Sequence, residues 1–546
     1  MKKVYFVFIC FILAVFLSAC GEQKRSENSI IYATHVILST LNHHITDKAS
    51  DGIPISNVME GLMTFDDEGK IVNGTAQSYT VSKDGLIYTF KIRSNAKWSN
   101  GDKVKADDFE WAWKLLAKTQ EAPYRYQMIS YLKNGIAVLD GKADISTLGV
   151  KAQDEETLIV VLEKPIPYFL SCLVFSAMFP MNQKVYEQFG NEYGTTHNRA
   201  VYNGPFVISD WKIDQRWTYS KNPYYWDKDS VKIDEIFVSV ISDPQSLRNA
   251  FAAGESDILN PETGNGKQSI DVLSKEPQKY KRINFNEAVI EYIYLSPSIE
   301  PSKQILSNKH LRKALSRAFN KEELIDKVFG NGSKAADYFI PYNFTWIARQ
   351  DFRDFSGRFN KPSSFNIDEA KKELALAKQD LGGLPLEIAI SIQSSQGSKL
   401  EWEYIKHQIE SNLDGVKIIL RAAPANQLYD EMSEFTVSAG QMLWSPDFSD
   451  PTTFLDLFKS DSPQNYGQYK SPQYDRLLNE ADAPAMLTNP KARWALLAKA
   501  EELLLDDAVI IPIQQRTKTV FTKTNISGIV FTNIGANVFF KFARRN

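Results

Sequence analysis

Val4 to Leu17 is an unbroken apolar run of fourteen residues, preceded by Lys2 and Lys3 and closed by Leu17-Ser18-Ala19-Cys20. A basic start, an apolar stretch and small residues, in that order, make a secretory signal. The stretch is shorter than the roughly 20 residues a spanning helix requires, so it reads as an export address and not as a permanent span. The body is therefore expected to fold outside the cytoplasm, where disulfides are available. Yet of three cysteines, Cys10 leaves with the signal, Cys20 stands at its end and Cys172 alone lies in the body. With no internal bridge open to it, the processed chain has to be held by apolar cores. Cys172 sits in the apolar stretch Tyr168–Phe175 and reads as a buried structural thiol, not a nucleophile.

Leu17-Ser18-Ala19-Cys20 resembles the lipobox of bacterial lipoproteins, which implies a lipid on the Cys20 sulfur and Cys20 as the mature N-terminus. The plainer alternative is an ordinary signal peptide (residues 1–19) with a chance cysteine. Cys20 falls where the apolar run ends, and that favours lipidation. Gly21 to Asn28 is polar and suits a tether. One acyl chain anchors only marginally, so the two-chain lipid expected on Cys20 would make the attachment durable. The expected location is the extracytoplasmic face of the cell membrane, as at a Gram-positive cell surface.

Cleavage after Ala19 leaves 527 of the 546 residues, too many for one core and suited to two or three domains. Of 63 Lys and Arg, two leave with the signal, so 61 basic face 66 acidic side chains, a formal −5. That balance argues against a nucleic-acid partner. No later segment holds 18 consecutive apolar residues.

The pattern along the chain is mixed α and β. Leu86, Tyr88, Phe90 and Ile92 alternate with polar residues and predict a half-buried strand. Asp107, with Glu110 three residues on, predicts a helix cap, and Phe109, Ala112, Trp113 and Leu116 give that helix one apolar face. Trp111 and Trp113 read as core and rim residues and not as a ligand platform. Leu311, Ala314, Leu315, Ala318 and Phe319 predict a second helix, Asn320 with Glu323 opens another, and Trp494–Leu505 predicts one more. Val509–Ile513 and Ile290–Leu295 read as strands. Such alternation suits α/β domains with helix-covered sheets.

Catalytic signatures are missing: no G-x-S-x-G elbow, no phosphate loop, no H-E-x-x-H helix. His43 and His44 are adjacent and make a poor metal pair, so they read as a surface or hydrogen-bonded loop. No cofactor is expected, and nothing singles out two of the 66 acids as a hydrolytic pair.

Several separated stretches do carry a specific likeness. They are Met59-Glu60-Gly61-Leu62 with Phe65-Asp66, Ala96–Gly101, Asn203-Gly204-Pro205-Phe206 with Asp210-Trp211, and Lys221–Trp226. Leu311–Leu315 and Trp444–Pro451 with Phe454-Leu455 follow in order. Together they resemble the extracytoplasmic solute-binding proteins of the oligopeptide (OppA/DppA) family, which serve ABC importers.

The resemblance implies an α/β, two-lobed, hinged clamp of the periplasmic-binding-protein type with an extra subdomain. Its layout implies one lobe from 20–58, 199–287 and 509–546, an extension at 59–198 and a second lobe at 288–508. Ile290–Leu295 and Val509–Ile513 would cross between them. It also implies a monomeric receptor, not an enzyme, whose partners are short peptides and the transmembrane subunits of an ABC permease. An extended peptide pairs its backbone with both lobes, and Asp447 stands where the family aspartate holds the peptide's cationic α-amino group. Asp447 as a turn residue before Pro451 is the alternative.

Asp47 and Ala49 fall in the early loop that pairs with peptide backbone. Tyr124 matches a cleft tyrosine, or is an ordinary packed aromatic. Trp444 and Gln441–Leu443 would line the opposite wall. Where some members carry arginines for the peptide C-terminus, the register gives Met432 and Gln441. A cysteine pair that some members have near 288 and 445 is absent. The same fold could serve a peptide pheromone or a non-peptide solute (nickel chelate, haem, oligosaccharide), and an anchored hydrolase or foldase is the reading from another class.

Overall fold

The computed structural model describes residues 26–546, apart from 47, 261–265, 301, 348, 358–362 and 535–537. The signal at 1–19, Cys20, most of the tether and Asp47 lie outside the described residues. Among those described, no helix is long and apolar enough to cross a membrane.

One eleven-stranded mixed sheet organises the chain. Its strands are β1 (Ser29–Thr34), β2 (Phe206–Lys212), β3 (Arg216–Lys221), β4 (Glu235–Val240), β5 (Ile258–Leu259), β6 (Tyr280–Leu295), β7 (Lys334–Ala335), β8 (Leu386–Gln393), β9 (Val416–Ala423), β10 (Ala439–Trp444) and β11 (Ile510–Lys523). In space the order is β9-β8-β10-β6-β11-β5-β1-β4-β3-β2, with β7 beside β11. β1 is parallel to both β4 and β5, and β8 is parallel to both β9 and β10. Each half is thus a small α/β sheet, and the halves meet through β6 and β11.

That pair is antiparallel and has two registers. Tyr280–Asn286 faces Lys523–Thr517, and after a break Ile290 faces Gln515, with a further shift before Tyr292 meets Pro512. Proline supplies no N–H to a ladder, so its place at an irregularity is where a strand tolerates it. The predicted strand Ile290–Leu295 lies within this longer ribbon, and the strand predicted at Val509–Ile513 begins one residue later, at Ile510. Alternate residues serve different cores. Ile290, Tyr292 and Tyr294 join the large core, whereas Ile293, Leu295, Ile511 and Ile513 join the core under helices Lys309–Arg317, Ile367–Asp380 and Gln396–Asn412.

A separate four-stranded antiparallel sheet, in the order Ala76–Val81, Ile87–Ile92, Thr157–Val161, Val150–Asp154, carries the helix Ala106–Lys118. Phe109, Ala112, Trp113 and Leu116 are buried as the spacing predicts, and Trp113 Nε1 donates to the Met178 carbonyl at 3.0 Å. The cap differs from expectation. The helix begins at Ala106, and Asp108, not the Asp107/Glu110 pair, accepts from the Lys105 N–H at 2.9 Å and from Trp98 Nε1 at 3.0 Å. An acid one position further in meets two donors at once.

His43 and His44 also depart from the sequence reading. They are buried, at 1% and 3% exposure, with their rings edge to face at 4.8 Å and the Phe179 backbone within bonding reach of His43. Burial lowers the His43 pKa to about 4 and that of His44 well below its ordinary value. Both act as neutral packing groups beside Phe179.

Three of the motifs converge. The Glu60 N–H donates to Asn203 Oδ1 at 3.0 Å, and Asn203 Nδ2 returns to the Glu60 carbonyl at 2.8 Å. Next to it the Gly204 N–H reaches the Val58 carbonyl at 2.9 Å, and a Cβ at Gly204 would stand 2.6 Å from the Val58 backbone. The buried Glu60 carboxylate accepts from Tyr225 Oη, Trp226 Nε1 at 2.7 Å and Thr75 Oγ1 at 3.2 Å. Asn203→Ala strands the buried Glu60 N–H, leaves its carbonyl only Thr75 Oγ1 at 3.4 Å, and should cost about 1–3 kcal/mol. A lowered denaturation midpoint at unchanged m-value is the expected readout, and an unshifted midpoint would contradict this account.

Candidate functional site

β10 leads out of the sheet into the loop Ser445–Pro451. A buried ion pair sets its shape: the Asp450 carboxylate takes Arg493 Nη1 at 2.6 Å and Nη2 at 2.9 Å, together with the Thr452 N–H at 3.0 Å and hydroxyl at 2.7 Å. Such two-pronged pairing fixes direction as well as distance. The Asp447 N–H donates to Thr453 Oγ1 at 3.1 Å. Ser449 bonds the Phe344 carbonyl through its hydroxyl at 2.9 Å, and its own carbonyl accepts from Thr345 Oγ1 at 3.1 Å.

The outer edge of the loop meets the segment that follows the four-stranded sheet. Phe448 stacks on Tyr168 with centroids 4.0 Å apart and planes 10° from parallel, and the Ser449 N–H donates to Ser171 Oγ at 3.2 Å. Asp447 stands between these parts. Its side chain is open to solvent, yet surrounding protein raises its pKa above the usual carboxylate value. Among the described residues its carboxylate has no ion pair and accepts no hydrogen bond. Its charge reaches Tyr131 and Cys172, which helps to push both pKa values up, although burial is the larger cause. Cys172 is a buried free thiol, as its apolar setting predicts.

Asp456, nine residues beyond Asp447, has its pKa pushed up to about 7, first by burial and then by Asp482, with Lys459 and Arg493 pulling the other way.

The other predicted site residues fall in different places. Trp444, half-buried, closes β10 opposite Ile290, its Nε1 shielded from solvent and without an acceptor. Tyr124 is half-buried, edge-on to Phe175 with centroids 4.6 Å apart. Ala49 opens the helix Ala49–Val58. Met432 is buried at 1% exposure in the helix Ala425–Ser433. Gln441 is buried and engaged at both ends of its amide: Oε1 accepts from Ser398 Oγ at 2.6 Å and the Gln393 N–H at 3.1 Å, and Nε2 donates to Glu291. Glu291 also takes Gln514 Nε2 at 2.8 Å, and neighbouring Glu401 is held well above the ordinary carboxylate pKa by burial and by Glu291. Sequence reasoning missed this acid pair; a glutamate inside the apolar run Ala288–Leu295 was the available signal.

A clamp of two α/β halves with a recessed acid between packed segments defines a solute-binding protein. The family of bacterial extracellular solute-binding proteins, family 5 (middle), matches residues 70–466. This chain belongs to that family. It is similar to the dipeptide-binding protein DppE of Bacillus subtilis (strain 168), 31% identical over 485 residues that cover 88% of this chain and 86% of that one. Among solved structures it is similar to the substrate-binding domain of an oligopeptide ABC transporter from Bacillus anthracis str. Ames, with a TM-score of 0.74 and 33% identity over 96% of this chain and 99% of that one. Listeria monocytogenes OppA bound to peptide gives a TM-score of 0.73 at 28% identity, over 96% of this chain and 100% of that one.

A raised carboxyl pKa has a defined consequence for stability. An unfolded aspartate titrates near about 3.9, so folded Asp456 binds its proton more tightly than the unfolded chain does. Between about pH 4 and pH 7 the folded state therefore loses stability as the pH rises. Asp456→Asn should raise the thermal midpoint relative to the parent at pH 8 and do so far less at pH 4. Calorimetric scans at the two pH values check this, and an equal shift at both would refute the titration.

Proposed function

We propose that this chain is a membrane-anchored receptor that captures extended peptides between two lobes and hands them to an ABC-type import permease. The observation that carries the reading is Asp447: a carboxylate without a partner, in a recess between segments of the two halves, on a loop braced by a buried ion pair. A peptide's α-amino group is the cation that such an acid suits, and a charge-assisted bond in a recess is stronger than one in open water. The named peptide binders among its relatives support the same ligand class.

The lobes of this reading are 20–58, 199–287 and 509–546 with the extension 59–198, against 288–508. β6 and β11 make the hinge. A ligand touching both lobes shifts the balance toward the closed form, which is the form a permease would recognise. The receptor acts as a monomer tethered through lipid on Cys20, and the tether keeps it at high effective concentration near its permease. It binds its peptide without cleaving it, so the mass of a released ligand equals the mass supplied.

Asp447→Ala, or N-acetylation of the peptide, should weaken binding by on the order of 2–5 kcal/mol, the cost of removing one partner from a desolvated charge pair. Titration calorimetry with matched free and acetylated peptides measures this. Equal affinities would remove the role from Asp447, and a clean isotherm for a sugar or metal complex with no heat from peptides would overturn the reading.

A further inference from the structure

The second half offers no cation at Met432 or Gln441. The first is packed in the core and the second is engaged at both ends of its amide. A peptide's negative groups must then be met elsewhere, and the first half holds a cavity with the required chemistry. It has a volume of about 390 Å³ and apolar walls that include Ile53, Val520, Phe531 and Phe540. His35 and Lys518 form its polar corner.

The cavity opens outside the carboxyl ends of β1 and β5, two parallel neighbours. That is where open α/β sheets bind their ligands, because chains leaving adjacent strand ends part and leave a crevice. The hairpin Val530–Phe531/Val538–Phe539 flanks it, and Asn533, which follows its first strand, bonds across to two segments of the second half: its Oδ1 takes the Ala288 N–H at 2.8 Å and its Nδ2 reaches the Asn343 carbonyl at 3.4 Å. The crevice therefore lies beside the junction that a clamped ligand has to cross.

Lys518 is half-buried, and among the described residues it has neither an ion-pair partner nor a hydrogen-bond acceptor. Several more deeply buried cations are paired, Arg353 with Glu501, Arg493 with Asp450 and Lys541 with Asp227, and buried Arg312 gives its guanidinium to the carbonyls of Leu306, Ser307 and Asp507. A shielded ammonium without a counter-charge is costly unless something else supplies one. His35 faces the same space. Its pKa is lowered by burial and then by the charge of Lys518, so the two basic groups lie within reach of each other's charge.

We propose that Lys518, with His35 beside it, is an anion seat in the first half that receives a carboxylate of the bound peptide, while the apolar crevice takes the side chain next to it. This rests on the peptide-binding reading above and assigns the end of the ligand opposite the Asp447 contact. The carboxylate comes either from the peptide C-terminus or from an acidic side chain.

The test uses a randomised pool of peptides two to eight residues long, half free acids and half isotope-marked C-terminal amides, offered to the ligand-free receptor. Retained species are identified by mass spectrometry. Enrichment of free acids over amides assigns the C-terminus to the seat, whereas enrichment of Asp and Glu over Asn and Gln among the amides assigns a side chain. Lys518→Met should abolish whichever preference the parent shows, with about a tenfold or greater loss of affinity for the preferred class, and Lys518→Arg should retain it.

Undiminished preference in Lys518→Met, or retention blind to both carboxylates in the parent, overturns the seat. In either case retention that still depends on the free amine leaves the peptide reading intact. If no peptide of any class is retained, the peptide reading fails and the seat with it. Lys518→Gln serves as a second uncharged variant should Lys518→Met fold poorly.

Discussion

Hydrogen bonding between β6 and β11 runs from Tyr280 opposite Lys523 in one half to Tyr294 opposite Ile510 in the other, so the same ribbon is a structural member of both halves. Each end is locked into its own sheet, by β5 on one side and by β10 on the other. The two breaks of register fall between those ends, near Asn286–Ile290 and Glu291–Tyr292. Regular pairing resists bending, and a break relaxes that resistance locally. The ribbon is therefore stiff where it has to hold each sheet together and compliant in the short stretch between them. The positions of Asp447 and Lys518 follow from that division, because β10 leads into the Asp447 loop and β11 carries Lys518.

The buried polar groups around this frame divide into two kinds. Glu60, Asp450, Arg493 and Gln441 are bonded to neighbouring side chains and hold segments together. Asp447 and Lys518 are shielded to a degree and left unanswered. Leaving a charge unmatched is destabilising, and these two have neither the ion pair of Arg493 nor the carbonyl acceptors of Arg312. One is acidic and belongs to the second half, and the other is basic and belongs to the first. A zwitterionic chain laid between them would find opposite charge at each end.

Much of the frame was legible in the sequence because it rests on local periodicity. The strand through Tyr88, Phe90 and Ile92, the helix face of Phe109, Ala112, Trp113 and Leu116 and the cap at Asn320 all follow from spacing within a few residues. What was not legible depends on partners far along the chain. The helix cap moved to Asp108 because Trp98, ten residues earlier, supplies a second donor. His43 and His44 looked like loop residues, and their burial comes from packing beside Phe179. Gln441 lies on the strand the likeness indicated, but alternation along β10 turns it inward to Glu291, 150 positions away. Nothing near Lys518 in the sequence, within a run of threonines and valine, marks it as part of a crevice formed with His35.

The isolation of Cys172 has a practical corollary. Its sulfur is enclosed by the packed segment around Tyr168, and burial holds the thiol far from ionisation, which is the state that reacts with labelling reagents. A chain begun after Cys20 thus has a chemically silent background without any native residue being replaced. Dyes or spin labels attached to one introduced cysteine in each half would report only the distance between them. The opening and shutting of the molecule could be followed on otherwise unaltered protein.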